Sequence, residues 1–216
     1  MKLYSIDLSP FAARVRVAIY AKKLPVEIVA PPEGGTKSQA YLALNPMGRV
    51  PVLAVGDGFA LPESETIVEF LADAFPDCGL RPETPEARAQ ARLISRVAEL
   101  YVFAPLQTLF GQMNPATRNA AIVDEGAEKL KAGLVHLNVF MGEGPYAVGE
   151  TITTADCALI PIMFFIQLAG PMFGKGDLLA GLMKLSDYAE LLKMDPVAQK
   201  VVSEMQAGLR AMQSGG

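Results

Sequence analysis

Apolar positions recur every second residue in some stretches of this chain and every third or fourth in others, and the change of period predicts its elements. Residues 2–6 read as a strand. Pro10 then opens a helical stretch to Lys22, in which Val15, Ala18 and Ile19 recur at helical spacing. Residues 26–29 read as a second strand, and residues 37–44 as a short helix that ends before Asn45-Pro46. Two further strands, 50–55 and 59–61, flank Gly56-Asp57-Gly58, which has the turn chemistry of an antiparallel hairpin. An amphipathic helix follows over residues 64–75, with Ile67, Phe70 and Leu71 on one face. The expected order is β-α-β-α-β-β-α.

After residue 76 the pattern changes. Residues 76–85 are rich in proline, glycine and charge, as a linker is. Beyond them only helical periods remain, over residues 86–112, 117–141, 153–168, 178–192 and 195–212. The fold class expected is therefore α/β plus all-α: a first domain over residues 1–76, a linker over 77–85 and an all-helical domain over 86–216.

Composition narrows the chemistry. The chain is 51% hydrophobic and 19% charged, enough apolar character to bury a core, and its net charge of −4 lacks the basic footprint of a nucleic-acid binder. It has one histidine, His136, and two cysteines, Cys78 and Cys157. That is too few for a Cys/His zinc site, and two isolated thiols make no disulfide framework, so no metal and a reducing compartment are expected. His136 lies well inside a predicted helix and reads as structural or exposed; both cysteines read as inert. The N-terminus breaks into polar residues before a signal-peptide core forms. The longest apolar run, residues 157–169, is shorter than the roughly 20 residues that span a bilayer. A soluble, cytoplasmic protein is expected.

Several helix starts carry more than a boundary. Thr153-x-x-Asp156 pairs an N-cap hydroxyl with a carboxylate three residues on, a capping box before a run that is apolar on all sides and contains Pro161, which should kink it. Ser9-Pro10 places a hydroxyl at the N-cap and proline at the first helical position. Such an end is electropositive, so Ser9 either caps only or also holds a developing anion. Val50-Pro51 opens a strand; if that bond is cis, the Val50 N–H and C=O are left to pair with an extended ligand. Glu63-Ser64 stands where the hairpin ends and a helix begins. Ser64 is the expected N-cap there, its helix end favours a carboxylate, and Glu63 suits an ammonium, which together describe an α-amino-acid head or simply an exposed cap.

Taken in order and spacing, Ser9-Pro-Phe-x-x-Arg14-Val-Arg16, Asn45-Pro-x-Gly48-Arg49-Val50-Pro51-Val-Leu53, Glu63-Ser64-x-x-Ile67 and Thr153-x-x-Asp156 resemble the cytosolic glutathione transferases of serine type, similar to zeta and tau classes. The resemblance spans essentially the whole chain. It implies a thioredoxin-like N-terminal domain that binds glutathione as co-substrate, and a helical C-terminal domain that supplies a pocket for a small hydrophobic electrophile. On it, Ser9 falls on the catalytic hydroxyl. Phe11, Lys37, Arg49, Val50, Pro51, Glu63 and Ser64 fall on glutathione-binding positions: Arg49 toward the glycine end, Val50 pairing with the cysteine, Pro51 on the family's cis-proline, and Glu63 with Ser64 on the γ-glutamyl head. The family's role in detoxification and its homodimeric assembly are implied as well, with apolar surface near Phe70 and Tyr101 for a partner to cover.

The implied mechanism rests on thiol acidity. A free thiol has a pKa of about 8.5, so only a few per cent is thiolate at neutral pH. A hydroxyl donating to sulfur at a helix N-terminus favours the ionised form, which makes Ser9 a donor and not a base. Candidates for the electrophile pocket are Phe11, Tyr101, Leu106, Phe110, Met113 and Phe165, with Phe164 and Met172 behind them; each also reads as core. Ala12 and Ala13 stand where zeta-type sequences carry a serine or cysteine and a tryptophan, which argues against maleylacetoacetate isomerase chemistry. No cysteine occupies the Ser9 position, against omega-type thiol exchange. Isomerase or ether-cleaving chemistry, and a non-catalytic binding protein of the same fold, are the alternatives.

Overall fold

The structure is a computed structural model that describes residues 1–56 and 58–214. Among these, four short strands form one sheet in the order β2-β1-β3-β4: β1 is Lys2–Tyr4, β2 Glu27–Val29, β3 Val52–Val55 and β4 Phe59–Pro62. β1 runs parallel to β2 and antiparallel to β3, and β3 runs antiparallel to β4. Leu3 and Leu53, opposite one another in the sheet, are fully buried. Gly56 and Gly58 take the positive φ that the hairpin requires, while Asp57 lies outside the described residues. Helices α1 (Pro10–Lys22), α2 (Gln39–Leu42) and α3 (Ser64–Ala74) fall between and after the strands, so the order is β-α-β-α-β-β-α as expected, a thioredoxin-like arrangement. A 3₁₀ turn, Gly35–Lys37, precedes α2, which is therefore shorter than the helix expected over residues 37–44.

The helical part contains α4 (Pro85–Val97), α5 (Ala104–Phe110), α6 (Ala120–Phe140), α7 (Thr154–Met172) and α8 (Met183–Leu192). The single helix expected over residues 86–112 is interrupted by a π-helical turn, Ala98–Phe103. Pro105 explains it: it has no N–H to offer the Tyr101 carbonyl one α-turn back, and the wider turn accommodates the gap. Gly133 of α6 lies directly against that carbonyl, which a Cβ at this position would overlap. The helix expected from residue 178 begins only at Met183.

The chain divides into two compact units, Met1–Arg81 together with Asp195–Gly216, and Pro82–Met194. The chain passes from the first unit to the second at Arg81–Pro82. The last helix, α9 (Pro196–Ser214), does not group with the helical unit, where the sequence division put it; it packs on α1 in the first unit. Since α1 is covered by both α3 and α9, it is buried on almost every side, Arg14 and Arg16 included.

Inside the helical unit, α7 runs on through Pro161 and Pro171 as one helix and is the central core element. It is long and apolar enough to cross a membrane by length and composition, longer than its apolar run suggested, and 72% of its most apolar stretch is buried in the protein. Asp156 anchors its start. The carboxylate, with no exposed surface, accepts from the Thr153 N–H at 2.9 Å, the Thr153 hydroxyl at 3.0 Å, the Ala147 N–H at 2.9 Å and the Tyr188 hydroxyl at 3.0 Å. Burial raises its pKa above the ordinary carboxylate value, against the pull of those donors. The box thus joins α7 to the loop before it and to α8.

Candidate functional site

Three loops meet at one end of the sheet because of its register. Tyr4, the last residue of β1, stands opposite Val52, the first of β3; Val52 in turn stands opposite Pro62, the last of β4. The segment that leaves β1 for α1, the residues that enter β3 and the residues that leave β4 for α3 therefore start from that same end. Val50-Pro51 and Glu63-Ser64 adjoin it directly, and Ser9 lies five residues along the segment that leaves β1.

Ser9 has extended backbone and is the N-cap of α1; its hydroxyl oxygen accepts the Ala12 N–H at 3.2 Å. Accepting through oxygen leaves the hydroxyl proton for an outside acceptor at the positive end of a 13-residue helix. No acidic side chain occupies the first turn of α1 to compete for that field. Phe11, half-buried, follows two residues on.

Val50–Pro51 is a cis peptide bond. The carbonyl just before it, that of Arg49, accepts from the Tyr41 hydroxyl at 2.9 Å and the Asn45 side-chain amide at 2.8 Å, and Asn45 also takes the Met47 N–H at 3.0 Å. Tyr41 and Asn45 are buried, so this approach to β3 is held from inside. Burial, with Tyr4 nearby, pushes the Tyr41 hydroxyl up to about 12, which keeps it a donor. Gly48, at φ 59°, brings the same loop against the Thr36–Lys37 turn: a Cβ there would lie 2.8 Å from Lys37 Nζ and 2.9 Å from the Thr36 carbonyl oxygen. Lys37 and Arg49, both exposed, are thus carried by touching segments, two cations suited to one carboxylate.

At the third loop the sequence reading needs correction. Ser64 is not the N-cap of α3 but its first helical residue, and the cap position belongs to Glu63, whose side chain makes no capping bond. Glu63 sits at φ 70°, ψ 113°, a conformation that a non-glycine residue rarely takes. The reversal leaves Glu63 exposed and Ser64 buried at the start of α3, where free backbone N–H groups favour an anion.

The aromatic candidates of the helical unit separate into two places. Phe165 is the hub of one cluster, with ring centroids 5.3 Å from Phe110, 5.2 Å from Phe164 and 6.2 Å from Phe103. Leu106 is fully buried in the core, Met113 and Met172 are exposed, and Tyr101 is exposed beside His136 on α6. Tyr101 lies in the π turn, Leu106 and Phe110 in α5, and Met113 beyond the end of α5. A cavity of about 330 Å³ beside Gly142, Tyr146 and Lys184 is lined by none of the expected residues. Cys157 is buried and Cys78 half-buried, and among the described residues no cluster of His, Cys, Asp or Glu is arranged to hold a metal ion.

Tyr41, Asn45 and Arg16, which shape these loops from beneath, were not singled out as site residues in the sequence. Asn45-Pro46 marks the end of a predicted helix, and both it and Arg16 stand inside the quoted motifs.

Residues 3–83 match the family model described as glutathione S-transferase, N-terminal domain, and residues 120–191 that of the C-terminal domain. A maleylacetoacetate isomerase of Pseudomonas aeruginosa is 42% identical over 181 residues, covering 79% of this chain and 83% of its own length. A glutathione S-transferase of Pseudomonas putida is 28% identical over 215 residues, 98% of this chain and 95% of its own. Among solved structures, a glutathione S-transferase of Methylobacterium radiotolerans in complex with glutathione sulfonate superposes with a TM-score of 0.75 at 25% identity, over 93% of both chains.

Proposed function

This chain belongs to the glutathione S-transferases, with glutathione as co-substrate, and from that membership we propose that Ser9 holds the glutathione sulfur as thiolate for attack on a small hydrophobic electrophile. The observation that carries the reading is Ser9 itself: a capping hydroxyl with its proton available, on the segment that leaves β1 at the end of the sheet where Val50-Pro51 enters β3 and Glu63-Ser64 leaves β4.

The contacts follow from charge, strand pairing and packing. The γ-glutamyl ammonium pairs with Glu63, and its carboxylate with Ser64 and the start of α3. The cysteine backbone pairs in strand fashion with Val50 ahead of Pro51. Lys37 and Arg49 take the glycine carboxylate, and Phe11 packs on the tripeptide. That leaves the sulfur beside Ser9, where one hydrogen bond and the α1 end lower its pKa. The thiolate then attacks an electrophilic carbon. Phe110 and Phe165, half-buried, are the proposed apolar contacts of the electrophile within the helical unit, ahead of Tyr101, Leu106 and Met113. We place the enzyme in the cytoplasm as a homodimer acting in detoxification; exposed Leu93, Leu100 and Tyr101, and Phe59 beside Phe70, supply apolar surface for a second copy.

A second reading, glutathione-dependent isomerisation, is favoured by the 42% identity to the isomerase and opposed by Ala12 and Ala13. Turnover of the purified protein with glutathione across aromatic halides, peroxides, aryl ethers and maleyl compounds tests both. Conjugates that consume glutathione support transfer, isomerised maleyl product with glutathione recovered supports the second reading, and no turnover on any panel member refutes both.

A further inference from the structure

A guanidinium buried to 1% exposure must have its donors met, or its charge is costly. In Arg16, on the second turn of α1, Nη1 donates to Ser5 Oγ at 2.6 Å and to the Ile6 carbonyl at 3.2 Å, and Nη2 donates to the Asp7 carbonyl at 2.7 Å. All three acceptors belong to the short connection between β1 and α1. The Ile6 carbonyl also accepts the N–H of Ser9 at 3.0 Å. Arg16 and Ser9 therefore share one oxygen.

The counter-charge comes from the other end of the chain. Arg16 Nε lies 2.8 Å from Glu204 Oε2 of α9, an ion contact without hydrogen-bond alignment, and the Tyr20 hydroxyl fixes the other carboxylate oxygen, Oε1, at 2.8 Å. One turn further along α9, Gly208 meets the same connection sterically: a Cβ at this residue would lie 2.7 Å from the Leu8 backbone nitrogen and 3.0 Å from Leu8 Cβ. Residues i and i+4 share a helix face, so α9 bears on the segment ahead of Ser9 at two adjacent points.

We propose that Glu204 and Gly208 are positioning residues for Ser9. Glu204 holds Arg16, Arg16 holds the Ser5–Asp7 backbone, and Gly208 sets how closely α9 lies on Leu8; together they aim the Ser9 hydroxyl. The inference rests on Ser9 being the thiolate donor. A hydrogen bond weakens steeply with misalignment, so a displacement of a few tenths of an ångström in this connection acts on the sulfur and leaves the rest of the glutathione contacts in place.

The test uses full-length Glu204→Gln and Gly208→Ala, each with Ser9 intact and in the Ser9→Ala background. Read-outs are kcat, KM for glutathione, thermal midpoint, and titration of the ultraviolet thiolate absorbance of bound glutathione. With Ser9 present, each variant is expected to lower kcat by about threefold to thirtyfold and raise the titration midpoint, with KM within about twofold; in the Ser9→Ala background both effects disappear. Effects of equal size with and without Ser9, or an unmoved midpoint, overturn the proposal and leave α9 a purely structural helix. If Ser9→Ala alone changes neither kcat nor midpoint, the donor reading falls and this inference with it; if Ser9→Ala changes both and the α9 variants neither, only the inference falls. Should Glu204→Gln fail to fold, Glu204→Asp and Gly208→Ala carry the test.

Discussion

Replacing Ser9 removes two interactions at once, and the structure shows how to separate them. Its oxygen caps α1 by accepting the Ala12 N–H, and its proton is the one assigned to sulfur. Ser9→Ala loses both. Loss of the cap costs about 1 kcal/mol of stability, in a range of roughly 0.5–2. Loss of a hydrogen bond to an ionised partner costs about 1.5–3 kcal/mol. At about 1.4 kcal/mol per pKa unit, that second loss raises the bound thiol by roughly one to two units, and turnover near neutral pH falls by about tenfold to thirtyfold, the ceiling being set by the few per cent of thiolate that a free thiol keeps. Ser9→Asp keeps the cap, since aspartate is among the best N-cap residues, and has no proton to give at neutral pH. It is expected to match the wild type in urea midpoint and to lose turnover at least as severely as alanine, because its charge also repels the thiolate. The assay pairs urea unfolding with a pH titration of the bound thiolate absorbance. Aspartate that retains turnover, or alanine that leaves the thiol midpoint unmoved, refutes the argument.

Replacing Glu63 and Ser64 together by alanine should weaken glutathione binding in calorimetry far more than it slows the chemical step under saturation, since the amino-acid head is bound alike before and during reaction; equal affinity places the head elsewhere. Asp156→Ala strands the N–H groups of Ala147 and Thr153, which cannot turn away, and is expected to cost about 2–5 kcal/mol in urea unfolding, with Tyr188→Phe adding little in that background. A loss below about 0.5 kcal/mol would show the carboxylate is not holding the loop. Tyr41, pushed up to about 12 by burial, keeps its proton after the unfolded chain has lost it at its usual value of 10.0, so its contribution is present below that value and lost as pH rises through about 12. Wild-type stability should fall with pH in that window, and Tyr41→Phe should flatten the slope; identical slopes would contradict it.

Much of the protein is written locally. The alternation from period two to period 3.6, the Ser9-Pro10 and Thr153–Asp156 helix starts and the hairpin glycines each depend on neighbours a few residues away, and each was legible. The resemblance groups Ser9, Val50-Pro51 and Glu63-Ser64; the register of β1, β3 and β4 brings together the strand ends from which those segments run.

What stayed hidden depends on contacts across long separations in sequence. Pro105 announces a disturbed helix, yet a wide turn at Ala98–Phe103 can be told from a break only with Gly133 pressed against the Tyr101 carbonyl. Glu63 takes the cap position expected of Ser64, at a positive φ that its residue type rarely adopts. Arg16 reads in sequence as one more charge on a helix, and α9 as the close of a helical domain. Only the packing of α9 on α1 turns that charge inward, 188 positions from the carboxylate that balances it. Periodicity reports which face a helix buries, since that is a property of its own side chains. It is silent on which distant element covers that face, because the choice of partner is made by the free energy of the whole packed unit.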